Sequence, residues 1–478
     1  MINKIINYMK GAINKMLNKN NVAQKVNVDT IVSNKMNVAI QRWSNIYHNK
    51  AKWLIDNDEL VSLGVGQTIA SEYAKKTTIQ LNTKINGNDN LNKYYQKALR
   101  RLRVNLEFGL AKGGIIAKPF FDGNKLVTEF VQQDVFIPTE SDSENTLTAV
   151  IFPTQLKKGK YTYTKLEYGR FENNTYTVKN IAFKSTSEDI LGDPISLKEV
   201  PEWENISEEE TIKNVDRPLF AYFGVPLANE IDPNSPLGPS IYSKAESILK
   251  EIDEQLSRTL WEYEGSELAI DVDETAFENK IGVNGNKTRE IPKKEQRLFR
   301  KSDLDAGDKT FYNVFSPEIR DTSLFNGLNE LLMRAEVKCG MSYGTLSKLD
   351  QVAKTATEIK SSKQTMYTTI KDIQTELEFF FDDLVYALDT LMKLYNLDES
   401  NKKYVLMVNW GDSILVDEET SKRQSLLDKN AGVIDDVQYI METRNLDEDE
   451  AIAFFEKIRD RKKKYMVEEP KQEGDDFE

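Results

Sequence analysis

The chain has one cysteine and one histidine in 478 residues. A lone thiol, Cys339, cannot build a disulfide framework within the chain and suits a reducing compartment. With only His48 beside it, a Cys/His zinc site made from one chain is excluded as well. No run approaches the ~18 apolar residues that a membrane span requires. A basic balance is also missing: 64 Lys and Arg stand against 77 Asp and Glu, a net charge of −13. A protein whose chief work is to grip nucleic acid normally carries the opposite sign, so any DNA contact must be local, weak or slippery.

What is present is length and polarity. The chain is long enough for roughly two to four domains with real cores. Its 39% hydrophobic and 29% charged residues fit a polar protein with large solvated or inter-subunit surfaces. At the N-terminus, Ile2, Ile5, Ile6, Met9, Ile13, Met16 and Leu17 share a face, with lysines 4, 10, 15 and 19 elsewhere. The segment lacks the apolar core and cleavage site of a secretory signal. It is expected to dock on its own protein or a neighbour, with a membrane surface as the alternative.

Residues 28–46, 58–81 and 91–110 carry helical spacing, the last of these with Arg100, Arg101 and Arg103. From residue 113 the period changes to two. Residues 115–121 and 126–131 flank an Asp-Gly-Asn-Lys turn and predict a hairpin. Further strands are expected at 148–152, 161–168, 176–183 and 219–223, with an acidic, solvated loop at 185–210 between the last two. Residues 236–264 return to helix through Ile241, Ala245, Ile248, Leu249, Ile252, Leu256 and Leu260. A mixed segment follows at 265–317. Residues 404–409 form a strand candidate, short helices occupy 418–463, and the acidic tail is expected to be disordered. The fold class is mixed α+β with helix dominant.

The longest feature is residues 318–395. A helix carrying Leu324, Leu328, Leu331, Leu332 and Val337 leads into a polar loop at 340–354. Thr355 and Glu358 then fit a capping box. Beyond it, Ile359, Met366, Ile370, Ile373, Leu377, Phe380, Leu384, Leu388 and Leu391 keep one face, with neither Pro nor Gly before Asn396. A helix of roughly 40 residues spans about 60 Å, far beyond an average globular helix, and suits a large assembly or a coiled coil.

This segment, together with Tyr222-Phe223, the run from Pro226 to Asp232 and Ser235-Pro236-Leu237-Gly238-Pro239-Ser240, resembles the portal proteins of tailed bacteriophages that infect Gram-positive bacteria. The similarity runs in order and spacing from about residue 30 to residue 460, and rests on several loose patterns. It implies a ring, commonly of twelve copies, around a channel for double-stranded DNA, located at one vertex of the virion and assembled in the host cytoplasm. Residues 1–235 would form the wing, with a β-rich insertion at about 113–223. Residues 236–264 and 318–339 would be stem helices, 265–317 the clip between them, 340–354 the tunnel loop, 355–400 a long wing helix, 401–464 the crown and 465–478 a tail. Implied partners are the terminase large subunit, a head–tail connector, the major capsid and scaffolding proteins, and DNA without sequence preference.

Laid on this chain, Lys348, Asp350, Gln351 and Lys354 fall in the tunnel loop. Lys348 and Lys354 would either touch the DNA backbone in passing or simply solvate the loop. Acidic walls elsewhere would repel phosphate and let the duplex slide, since firm attachment needs cations that displace counterions. The densest basic run, Lys287, Arg289, Lys293, Lys294, Arg297, Arg300 and Lys301, would be a docking surface on the clip. No catalytic centre, cofactor or metal is expected. Gly282 to Lys287 lacks the spacing of a phosphate loop and reads as a turn. Asp382 and Asp383 fit solvent or a subunit interface. His48 reads as a surface or packing histidine, and Trp410 as a cover over apolar surface. The competing readings are a coiled-coil scaffold with no DNA role and a metal-dependent DNA-processing enzyme using Asp271 and Asp273.

Overall fold

The computed structural model describes residues 19–273, 279–281, 287–289, 298–302, 312–348, 356–397, 403–411, 425–444, 446 and 448–465. The helical N-terminal part holds α1 (Lys19–Lys25), α2 (Asn34–Tyr47), α3 (Lys52–Ile55) and α4 (Val65–Thr78). After β1 (Asn82–Asn86) come α5 (Asp89–Leu99) and α6 (Leu102–Lys112). Local chemistry sets these ends. The Ser33 hydroxyl accepts from the Met36 amide at 3.3 Å, and the Asn88 side chain accepts from the Leu91 amide at 3.0 Å. The expected single helix over 91–110 is instead two, broken at Arg100 and Arg101, so that Leu102, Leu106 and Leu110 turn inward.

At Gly113 the chain changes from helix to strand. Its φ of 102° and the Gly238 carbonyl, 2.2 Å from where a Cβ would sit, leave room for glycine alone. β2 (Gly114–Phe121) and β3 (Leu126–Gln132) form the expected hairpin, its turn closed by Asp122 Oδ1 accepting from Asn124 and Lys125 amides at 3.0 and 2.8 Å. Then follow β4 (Ile137–Ser141), β5 (Leu147–Lys158), β6 (Tyr161–Glu172), β7 (Thr175–Ser185), β8 (Asp193–Ile195) and β9 (Glu209–Lys213). These build one antiparallel sheet in the order β4-β5-β6-β7-β8, with β9 also on β7. β10 (Ala221–Gly224) joins β2 and β3 in a separate sheet.

The second half holds α7 (Glu246–Gly265), β11 (Ala269–Asp273), β12 (Asn279–Ile281), β13 (Lys287–Arg289), β14 (Phe299–Ser302) and β15 (Tyr312–Phe315). α8 (Asp321–Cys339), α9 (Ala356–Leu394), β16 (Val405–Asn409), α10 (Asp436–Arg444) and α11 (Glu448–Tyr465) follow, with residues 425–430 also helical. The architecture is mixed α+β, as expected. The long helix is real, at 39 residues, while Thr355 of its proposed capping box lies outside the described residues.

α9 runs through the main core. Its Ile370, Ile373, Leu377, Phe380, Phe381, Leu384 and Leu388 pack with Trp43, Tyr73, Tyr95, Phe223 and Tyr242, all of them buried. Asp382 and Asp383 are held by one guanidinium: Arg217 Nη1 donates to them at 2.7 and 2.8 Å. Trp410 does cover apolar surface, stacking on Phe381 at 6.0 Å, and its indole N–H donates to Glu378 at 2.6 Å.

Other parts of the chain also depart from expectation. Residues 185–210 are not simply a solvated loop, because Leu197, Val200 and Trp203 are buried against Leu156 and Ala182. Those three recur every third residue inside an acidic stretch, which masks them. α7 starts at Glu246 rather than near 236, since Gly238 closes against Val225 and Gly113 backbone and Pro236 and Pro239 cannot join a helix interior. Finally, β16 pairs antiparallel with β1, a strand that local periodicity did not reveal.

Candidate functional site

α7 and α8 form an antiparallel hairpin whose far end carries the β segment. Arg320, at the entry to α8, grips Glu262 near the end of α7 with both arms of its guanidinium, at 3.0 and 2.7 Å. The Glu262 side chain is only 8% exposed beneath a 71% exposed arginine, and that arginine holds its carboxyl below the ordinary range. Lower down, Gln255 donates to the Leu324 carbonyl at 3.2 Å opposite Gly327. Leu249, Ile252 and Thr259 of α7 and Leu328, Ala335 and Cys339 of α8 are buried.

Other side chains of the hairpin stand open to solvent. Trp261 is 66% exposed, Phe325 47%, and Leu260, Tyr263 and Val337 are exposed too. Tyr263 and Phe325 sit with ring centroids 6.5 Å apart.

The hairpin is fastened to the helical N-terminal part through α7. Asp253 accepts the Trp53 indole N–H at 3.0 Å and the Leu63 amide at 2.9 Å, while Ser257 accepts the Val61 amide at 2.8 Å. Burial pushes the Asp253 carboxyl up, against the pull of those donors. Glu246, at the start of α7, is held by Arg42 at 3.1 Å and by the Trp43 indole N–H.

α8 ends at Gly340, where φ is 69° and the Met341 amide returns to the Glu336 carbonyl at 2.8 Å, the usual left-handed helix stop. Tyr73 of α4 donates to the Cys339 carbonyl at 2.7 Å and fixes this end to the core. The next residues fold back over α8. Glu336, fully buried, accepts from the amides of Leu346 at 2.6 Å, Ser347 at 3.0 Å and Gly344 at 3.4 Å, and from the Ser347 hydroxyl at 2.9 Å. Asn329 meets Lys348 twice, accepting from its amide at 2.7 Å and donating to its carbonyl at 3.2 Å.

Of the residues predicted for the loop, Lys348 is exposed at the end of this pinned turn. Asp350, Gln351 and Lys354 lie outside the described residues. Of the basic run, Lys287 and Arg289 lie on β13, opposite Ile281 and Asn279 of β12. Arg300 and Lys301 lie on β14, beside Asp271 and Val272 of β11, in a different small sheet. Lys293, Lys294 and Arg297 are outside the described residues. The described members of the basic run are thus divided between two sheets.

Glu336, Asn329, Asp253 and the Glu262–Arg320 pair were missed from sequence. Glu336 did leave a signal: it falls four residues after Leu332 and eight after Leu328, on the apolar stripe, where a lone charge must find donors of its own.

The chain matches no protein-family model and no curated protein. Among the described residues, no three His, Cys, Asp or Glu side chains cluster as metal ligands, and no helix is long and apolar enough to cross a membrane.

Proposed function

We propose that this chain is the portal protein of a tailed bacteriophage: a subunit of a ring whose channel passes double-stranded DNA into and out of the capsid. The observation that carries the reading is the antiparallel hairpin of α7 and α8, closed at one end by a β segment and opening at the other into the loop before α9. A β segment inserted between antiparallel helices stands at a tip, where a motor or connector could reach it. The loop, at the opposite end, follows α8 directly. Exposed aromatics along the hairpin suit contact between neighbouring copies, and a head-to-tail contact repeated by rotation closes into a ring.

In this reading the chain supplies a conduit rather than catalysis. Acidic subunits give the bore a potential that repels phosphate, so the duplex slides, while Lys348 offers each copy one exposed cation near the loop. The β segment would take the terminase large subunit during packaging and the head–tail connector afterwards. Capsid and scaffolding proteins would meet the outer parts of the ring, at the portal vertex of the virion. Electron microscopy with native mass measurement on the purified chain tests the reading. A closed ring with a central pore is expected. A stable monomer or compact dimer under all conditions, and within particles, would overturn it.

A further inference from the structure

A fully buried carboxylate on a helix is costly unless donors surround it. Glu336 meets that demand with three backbone amides and one hydroxyl, all from residues 344–347. None of the donors comes from its own helix, so the carboxylate organises the turn rather than the reverse. Asn329, seven residues earlier on α8, takes up the turn where Glu336 leaves off, at Lys348. We propose that Glu336 is the positioning residue for the start of the loop: its two oxygens fix residues 344–347 against α8 and so set where Lys348 is presented. The significance of that placement for DNA passage rests on the ring reading above; the clamp itself does not.

The mechanism is one of acceptor geometry, which makes the conservative variant informative. In Glu336→Gln the amide oxygen still accepts from Leu346 and Ser347 amides, and the new NH2 group donates to the Ser347 hydroxyl, which rotates to receive it, while only the long Gly344 contact is lost. Glu336→Ala removes every acceptor.

The test is hydrogen–deuterium exchange on the full chain, resolved over residues 342–348, with α2 and β6 as internal references for folding. In Glu336→Ala the Leu346 and Ser347 amides should exchange at least about tenfold faster, and in Glu336→Gln less than about threefold faster. Unchanged protection in Glu336→Ala, or an equal loss in both variants, overturns the proposal. Should Glu336→Ala fail to fold, Asn329→Ala decides beside Glu336→Gln. Freeing only the Lys348 amide supports the clamp, whereas freeing Leu346 and Ser347 as well sinks it. In assembled particles, DNA content should fall with Glu336→Ala subunits at unchanged ring formation and recover with Glu336→Gln. Wild-type DNA content with Glu336→Ala overturns the role in passage. If the wild-type chain never closes into a ring, the functional reading fails, and exchange at Leu346 and Ser347 still judges the clamp.

Discussion

Glu167 lies between two ammonium groups, Lys118 at 2.9 Å and Lys165 at 3.1 Å, on the inner part of the large sheet. Burial alone would push its carboxyl up, but the two lysines outweigh that and bring it down from 4.5 to about 2. Between those values the unfolded chain binds a proton that the folded chain refuses. The stabilisation is therefore complete above pH 4.5 and is lost as the pH falls towards 2, roughly 3 kcal/mol in all. Glu167→Gln should flatten the acid limb of the stability profile. It should also cost about 3 kcal/mol at pH 7, because Lys118 is left buried with its nearest counter-charge gone. Urea unfolding of both proteins at pH 7, 4.5 and 3 measures this, and parallel profiles would refute it. Cys339 is the opposite case, a thiol with no helper, pushed up to about 12 by burial. A maleimide at pH 8 should label it more than about a thousandfold more slowly than a free thiol, with full labelling on unfolding.

At the scale of elements, α9 decides stability, since its apolar face crosses the whole main core. Leu384→Ala there should cost roughly 2–5 kcal/mol, while Phe379→Ala, five residues earlier but 65% exposed, should stay within about 0.5 kcal/mol. Equal shifts in denaturation midpoint for the two would mean that the helix does not sit as described. This face was legible in sequence because neither a strand nor a loop sustains a period of 3.6 over so many residues. The β2–β3 hairpin and the long strands of the large sheet were legible in the same way, from a period of two with turn residues marking their ends. β1 was not, because its five residues are ordered by β16, near the other end of the chain, and local pattern carries no trace of such pairing. Trp203 was hidden by acidic neighbours. For the candidate site, the hairpin and the place of the loop could be read, since both follow from helix periodicity and its interruption. The clamp could not, because hydrogen bonds from a turn to one buried carboxylate depend on how the chain folds back.

In the ring proposed above, charge and exposed surface would set the balance of forces between copies. Each subunit there would carry −13, so copies would repel one another and apolar contact would have to supply the attraction. Trp261 and Phe325, 66% and 47% exposed, are the most exposed aromatic side chains described on α7 and α8. Covering both would stabilise each contact by about 3–5 kcal/mol, which is at least two orders of magnitude in association constant. Replacing both by glutamate removes that gain and adds two negative charges to a surface already disfavoured by its sign. Because neither side chain supports its own subunit's core, the melting temperature of the isolated subunit should move by no more than a few degrees, whereas rings should give way to monomers. Salt gives a second reading of the same balance. Screening weakens repulsion between acidic copies, so the proposed wild-type rings would become more stable from low to moderate ionic strength, opposite to the trend for phosphate binding. Sedimentation velocity at matched concentrations, at low and at moderate salt, resolves both effects in one experiment. If the Trp261→Glu, Phe325→Glu double variant assembles as the wild type does, the hairpin is not the contact surface, and ring closure must draw on another face.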